Sequence, residues 1–314
     1  MLKPGPLIAL AAALLAGCAL ERAPLTLRDS FSVPAGEIVL APDTEKLSEQ
    51  DQALAGQLTL MLETRAETEA ERAELFYQLG IIYDRLGLEA TARTMFMNAV
   101  MENPSFAAPY NFIGIYFAKD GRFQDACDAF DSALELNPRE SFIYLNRAIV
   151  LHYARRDRLA LQDLLRFYEF DPDDPYRLLW LFIVEYSLEG EEAARDRLQR
   201  RYLGIDPAVR ADNWGFNLVK LYLGTLDLGL FWSETKAYRL DPETLTDHLC
   251  EAYFYLGKLH LLRGEEKLAY DHFYLSQATR RYGFLEYRYA LTEIELLEKR
   301  YQLRAPDGGA VPRF

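Results

Sequence analysis

Apolar residues in the segment 44–64 recur at the spacing of an amphipathic helix, and Glu45, Glu49, Gln50 and Gln57 lie away from the apolar face. The apolar face comprises Leu47, Leu54, Leu58, Met61 and Leu62. Because such a helix buries one stripe and leaves its other side in water, the pattern predicts a helix that needs a partner surface.

A longer pattern begins after this helix. Asn103-Pro104, Asn137-Pro138 and Asp171-Pro172 recur every 34 residues, and Asp206-Pro207 and Asp241-Pro242 follow at intervals of 35. Proline cannot continue the hydrogen bonding of a helix, so each dipeptide predicts a helix end. A fixed period of this length is typical of a helical solenoid.

Small and aromatic residues occupy matching positions within the period. The first two units contain Phe76, Leu79, Gly80, Tyr83, Ala92, Phe96 and Ala99, and then Tyr110, Ile113, Gly114, Phe117, Ala126, Phe130 and Ala133. These are the positions of the tetratricopeptide pattern, in which small residues let paired helices approach and large ones fill the layers. The third unit is weaker, since it has Arg147 where leucine is usual. The sequence therefore predicts an all-α fold, a tetratricopeptide-type helical repeat solenoid.

The repeat domain is predicted to span residues 44–302. Clear repeats are expected at about 73–106, 107–140, 141–174 and 250–283, with degenerate helices over 175–249. Thr68 and Glu71 have the spacing of a capping box, so the array is expected to begin near residue 69. An amphipathic helix near 284–300 is predicted to cap the array, and residues 303–314 to form a flexible tail.

The N-terminal region has the composition of a bacterial export signal rather than of the fold. Residues 1–17 contain one positive charge and a short apolar stretch, which predicts a lipoprotein signal peptide. Leu15-Ala16-Gly17-Cys18 resembles the bacterial lipobox, whose cysteine carries the lipid, and Ala19 after it implies outer-membrane sorting. Residues 18–43 are predicted to comprise the lipidated cysteine and a flexible tether, because prolines are scattered through them and no period is sustained.

The first helix of each repeat is expected to line the concave side of the array. Its predicted partner-binding positions are Glu74, Tyr77, Ile81, Asp84, Asn111, Ile115, Phe142, Leu145, Ile149 and His152. Their mostly apolar and aromatic character suits a groove for a peptide or a helix, and Tyr77 and Phe142 are predicted to contact a partner. The alternative is that the C-terminal helices fold back and fill the groove.

Composition narrows the function further. The 314 residues carry a net charge of −13, which disfavours nucleic-acid binding because phosphate recognition needs clustered basic residues. No metalloprotease, serine-hydrolase or phosphate-loop motif occurs, so we predict no catalytic residues, no metal site and no cofactor. His260 and His272 are interpreted as ordinary helix-face residues, and Cys127 and Cys250 as separate buried thiols.

Specific stretches resemble the NlpI family of outer-membrane tetratricopeptide lipoproteins. They include the segments 80–87, 129–136, 171–175, 254–258 and 286–291, together with the degenerate units around Trp180 and Trp214. The resemblance covers about residues 45–297, apart from a longer stretch near 203–211. It implies a homodimer with intertwined N-terminal helices, a role for which the segment 44–64 is suited. The alternative for that segment is packing on the first repeat.

The resemblance also implies a non-enzymatic adaptor. Such proteins bind a periplasmic tail-specific protease and present peptidoglycan endopeptidases to it. We therefore expect a lipid-anchored scaffold on the periplasmic side of the outer membrane. Two other classes remain open: a pilotin-like repeat lipoprotein for envelope assembly, and an anchored hydrolase.

Overall fold

The computed structural model describes residues 31–42 and 45–301, and every regular element within these ranges is helical. A 3-10 turn at Ala35–Glu37 precedes the α-helices, and a second one, Ala237–Leu240, follows α12. The α-helices are α1 Glu45–Thr64, α2 Glu69–Arg85, α3 Glu89–Glu102, α4 Ala107–Lys119, α5 Phe123–Leu136, α6 Ser141–Tyr153, α7 Asp157–Phe170, α8 Pro175–Glu189, α9 Glu191–Gly204, α10 Pro207–Asp212, α11 Phe216–Leu223, α12 Leu228–Lys236, α13 Pro242–Leu262, α14 Glu266–Ala278 and α15 Leu285–Tyr301. Within the described ranges, none of them combines the length and apolar content needed to cross a bilayer.

Repeats are built from paired helices, and in three of these pairs a glycine of the first helix faces a phenylalanine of the second. The pairs are α2 with α3, α4 with α5, α6 with α7, α8 with α9, and α13 with α14. A β-carbon added to Gly80, Gly114 or Gly257 would lie 2.6 Å from the facing ring, which is closer than carbon atoms approach. The glycine therefore permits the close approach of the paired helices, as the sequence predicted.

The third pair achieves the same packing with different residues. Ala148 and Leu164, both buried, stand where the other repeats have glycine and phenylalanine. Arg147 donates to both carboxylate oxygens of Asp163, at 2.8 and 2.7 Å, and also contacts Asp131 at 2.6 Å. The arginine thus replaces an apolar contact with an ion-paired one, which explains the departure of this unit from the repeat pattern.

Capping residues set the helix boundaries. The Thr68 hydroxyl accepts from the Glu71 amide, and the Glu71 carboxylate accepts from the Thr68 amide, so the predicted capping box opens α2. Asp174 caps α8 by accepting from the Tyr176 amide at 2.8 Å, with proline at the first helical position. Asp206 and Asp241 begin α10 and α13 in the same way, whereas Asp171 lies at the C-terminal end of α7.

The degenerate middle of the chain contains large aromatic side chains that are fully buried in the core. Trp180, Phe182, Phe216 and Phe231 are each at most 1% exposed. The helices α8, α11, α12 and α13 that carry or contact these side chains pack together without following the repeat pattern. Loss of the pattern over 175–249 therefore reflects a change of packing, with large aromatic side chains replacing the small contact residues.

The N-terminal helix α1 packs on the first repeat. Ala55 and Leu58 are buried against α2, where they contact a cluster that contains Leu75, Leu79 and Ile82. Asp51 pairs with Arg85 at 2.5 Å. The part of the apolar face of α1 that contains Leu58 therefore packs within the same chain, which is the alternative to a dimer contact.

Residues 31–42 were expected to belong to a flexible tether, and this expectation is wrong for that stretch. Val33 is 4% exposed in the main core. The Tyr253 hydroxyl accepts from the Val39 amide at 2.6 Å and lies 2.9 Å from the Val39 carbonyl. The Ser32 amide donates to Asp271 at 2.7 Å. The backbone of this segment finds its hydrogen-bond partners on α13 and α14, which holds it against the body.

The last helix returns to the first repeat. Arg288 on α15 forms an ion pair with Asp84 on α2, 204 residues earlier in the chain. In the loop before α15, the Tyr282 ring lies 3.1 Å from the position of a β-carbon at Gly87. The loop and α15 thus close the concave side of the solenoid across from the first repeats.

Candidate functional site

A cavity of about 1240 Å³ lies on the concave side. The first helix of each pair, α2, α4, α6, α8 and α13, contributes to its wall, and the loop 280–284 with the start of α15 forms the opposite side. Six of the predicted groove residues line it: Ile81, Asp84, Asn111, Ile115, Phe142 and Leu145. The repeat pattern therefore located one wall of the cavity.

The other four predicted groove residues do not line this cavity. Glu74 is exposed and accepts from the Gln78 amide at 2.8 Å. Tyr77 packs edge-on against Phe106, with ring centroids 5.0 Å apart. Ile149 is 1% exposed within the core, so its placement in an open groove is corrected here.

The fourth, His152, lies 2.6 Å from Asp157 through its Nδ1 atom. This contact is local, between the end of α6 and the start of α7.

The alternative of a filled groove is partly realised. Arg288 enters the concave side and reaches Asp84, and the Tyr116 hydroxyl donates to the same carboxylate at 2.7 Å. Burial raises the pKa of Asp84 above its ordinary value, although Arg288 and Tyr116 act to lower it. The C-terminal segment thus narrows the groove into a cavity and leaves Phe142 in its wall 54% exposed.

The wall of the cavity near α4 and α6 is apolar with one polar seam. Phe112 stacks on the buried Phe96 with ring centroids 4.3 Å apart. Asn146 donates to Asn111 at 2.9 Å and so links the two neighbouring repeats. Phe142 is 54% exposed, which is unusual for a phenylalanine at a concave surface. This part of the wall can accept apolar side chains and backbone groups of a polypeptide.

The opposite end of the cavity is acidic. Glu251 on α13 and Glu286 on α15 both line it, and the Tyr176 hydroxyl donates to Glu251 at 2.6 Å. Burial raises the pKa of Glu286 to about 7. Burial and then the charge of Glu286 raise the pKa of Glu251 well above its ordinary value. Two carboxyl groups in one poorly solvated place cannot both ionise easily, so this end attracts positive charge.

The predicted dimer face of α1 divides into two parts. Leu58 is buried and Leu62 partly buried against the first repeat, so these two side chains are used within the chain. Leu54 and Met61 are 41% and 39% exposed. The side chain of Leu47 lies outside the described residues, as do the predicted signal peptide 1–17, the lipidation site Cys18 and the tail 303–314.

Histidines and cysteines form no further site within the described residues. The rings of His260 and His272 lie 4.9 Å apart, but no group of three metal-ligating side chains occurs in the described ranges. Burial lowers the pKa of His272 to about 4, which keeps its ring neutral. Cys127 and Cys250 are both free and buried, in agreement with the prediction of separate thiols.

Sequence reasoning missed the C-terminal half of the cavity. Glu251, Glu286, Arg288 and Tyr289 lie on helices that the repeat pattern assigned to packing and capping. The available signal was a carboxylate set among apolar residues, as at Glu251, which stands between Cys250 and a run of buried residues that begins at Ala252. Such a residue needs either a partner or a function.

Fold and cavity together define an all-α solenoid of the tetratricopeptide type with a partly closed concave surface. No protein-family model matches the chain. Among solved structures it is similar to YrrB, a tetratricopeptide-repeat protein with an unusual peptide-binding site, at 18% identity over 68% of this chain and 96% of that one, with a TM-score of 0.44. It is also similar to PilF of Pseudomonas aeruginosa, at 16% identity over 65% and 93% of the two chains and a TM-score of 0.44. For MamA the identity is 16% over 65% and 98%, with a TM-score of 0.41.

Proposed function

We propose that this protein is a non-enzymatic interaction scaffold that binds a polypeptide segment of a partner in the concave cavity. The observation that carries the proposal is the cavity itself, about 1240 Å³ in volume, with an exposed aromatic residue at one end and two carboxyl groups at the other. Small-molecule sites typically range from about 300 to 1,000 Å³. A larger cavity lined by both apolar and charged residues fits several consecutive residues of a peptide better than one compact ligand.

Selection of peptides from a random library of about a dozen residues each, on the immobilised chain from residue 19, tests this proposal. That chain contains all the described residues. We expect binders whose affinity falls in a Phe142→Ala variant, because Phe142 lines the cavity. The matched control is Phe170→Ala, since Phe170 is 47% exposed on α7 and does not line the cavity. Equal effects of the two substitutions would contradict binding in the cavity.

The finer proposal concerns the partners. We infer that the protein is an outer-membrane lipoprotein, anchored through Cys18, that binds a periplasmic tail-specific protease and peptidoglycan endopeptidases and promotes degradation of the endopeptidases. The lipobox-like sequence and the family resemblance support this inference. Exposed Leu54 and Met61 on α1 offer an apolar strip for the homodimer that the resemblance implies.

A degradation time course tests the adaptor role. The chain from residue 19, the protease and a candidate endopeptidase from the same bacterium are mixed in all combinations. Faster loss of the endopeptidase only in the three-component mixture is the expected result. If active purified partners show no acceleration, and the protein instead co-purifies with a membrane complex, the pilotin-like assembly role replaces the adaptor role.

A further inference from the structure

Two glutamates at the C-terminal end of the cavity lack a positive partner. Glu251 accepts a hydrogen bond from the Tyr176 hydroxyl at 2.6 Å, and Glu286 is only 9% exposed. Both line the cavity. Neither forms an ion pair with any Lys, Arg or His side chain within residues 31–42 and 45–301. A buried carboxylate normally has such a partner, because removing it from water is costly.

The neighbouring charged groups increase the shortage of positive charge around the two glutamates. Asp247 and Asp174 also act on Glu251, and both are acidic. Each is already engaged by an arginine, Asp174 by Arg177 at 3.3 Å and Asp247 by Arg281 at 2.5 Å. The cavity-lining Arg288 is likewise engaged, by Asp84. The exposed Arg280 lines the same cavity, but no ion pair joins it to either glutamate among the described residues.

Hydrogen-bond donors on other cavity-lining residues are also unused. The Trp180 Nε1 group and the hydroxyls of Tyr255 and Tyr289 are buried, belong to residues that line the cavity, and make no hydrogen bond. The Tyr255 hydroxyl approaches the Glu286 carboxyl, but no hydrogen bond of normal geometry joins them. Buried donors are almost always paired in native proteins, so three on residues that line one cavity indicate acceptors supplied from outside.

We propose that this end of the cavity receives a lysine or arginine side chain of the bound polypeptide. Its ammonium or guanidinium group contacts Glu251 and Glu286, which line the cavity without a basic partner. Pairing of a cationic head with carboxylates is the arrangement that basic side chains favour. The inference rests on the proposed function, since it names the chemistry of the peptide in the same cavity.

The protein's own C-terminal residues 302–314 also include two basic side chains, Arg304 and Arg313. We favour a partner's side chain over these residues because the cavity wall is exposed at Phe142. The test below distinguishes binding of a partner from binding of the protein's own C-terminal residues.

The test uses the peptides selected in the library experiment. Each labelled peptide is titrated by fluorescence anisotropy, alongside a copy whose lysine is acetylated or whose arginine is replaced by citrulline. We expect the selected peptides to share a lysine or arginine, and neutralisation to weaken binding about tenfold or more. E286Q and the double variant E251Q/E286Q should weaken the basic peptide similarly and change the affinity of the neutral copy much less. Helical circular dichroism confirms that the variants fold.

A matched control removes an acid elsewhere in the cavity. Asp51 also lines it, but is paired with Arg85. D51N should therefore change the affinity for the basic peptide less than E286Q does.

Two results would overturn this inference and leave the proposed function intact. In the first, the selected peptides need Phe142 for binding but contain no basic residue. In the second, the basic peptide binds wild type and E251Q/E286Q with equal affinity. Binding only after removal of residues 302–314 would assign the glutamates to the protein's own tail and also overturn it. Absence of any peptide that needs Phe142 would remove both proposals.

Discussion

The glycine and phenylalanine that face each other within a repeat should be energetically coupled. At Gly114, a β-carbon would lie 2.6 Å from Cε1 and 2.8 Å from Cδ1 of Phe130, whose side chain is fully buried. Normal carbon contacts begin near 3.4 Å, so G114A forces the ring or the helix to move by about 1 Å. Overpacking of this kind typically costs about 1–3 kcal/mol, against which alanine regains up to about 1 kcal/mol of helix propensity.

We therefore expect G114A to destabilise α4 and α5 by about 1–2 kcal/mol. F130L should cost about 1–2 kcal/mol through the cavity it leaves. The double variant G114A/F130L should cost less than the sum by about 1 kcal/mol or more, because leucine leaves room for the added methyl group. The third repeat already uses this combination, with Ala148 facing Leu164.

Hydrogen exchange of the α4 and α5 amides measures these changes locally, which suits a repeat protein whose units can open separately. The matched control is A148G, which meets Leu164 and has no clash to relieve. Single-variant effects that add within about 0.5 kcal/mol in the double variant would refute the packing argument.

Two further predictions concern backbone strain and pH. Arg155 has a positive φ of 61° at the turn position where Gly121 of the preceding repeat has 71°. R155G should therefore raise the free energy of unfolding by about 1 kcal/mol, and G121A should lower it by a similar amount. Urea denaturation measures both changes. An opposite sign for either would contradict the strain argument. The pKa of Glu286 is raised from 4.5 to about 7 in the folded protein, so its ionisation opposes folding progressively as the pH rises through this range. E286Q should therefore be more stable than wild type near pH 8, by up to about 3 kcal/mol, with the gap closing near pH 5; a gap independent of pH would show that Glu286 does not titrate as described.

Local signals predicted most of the architecture. Prolines at a fixed spacing, the capping box at Thr68 and the small residues at Gly80 and Gly114 each act through neighbours within one repeat, so a single sequence displays them directly. The same pattern also identified one wall of the cavity, because concave positions follow from repeat numbering.

Contacts between distant parts of the chain were not predictable in this way. Arg288 pairs with Asp84 and Tyr253 holds Val39, yet neither pairing has a spacing or composition that marks it. The segment 31–42 lacks periodicity because it is held by backbone hydrogen bonds, which any residue except proline can make. Glu251 and Glu286 come together only through the packing of α15 on α13.

The contact between Arg288 and Asp84 changes how this solenoid is expected to fold. In an open array each unit contacts only its neighbours, so folding can begin in any unit and spread, and the terminal units unfold first. Here the first repeat completes its contacts only when residues 204 positions later are in place. Such long-range contacts raise the mean sequence separation of contacts and slow folding. The repeats synthesised first therefore reach their final stability last, when α15 closes onto them.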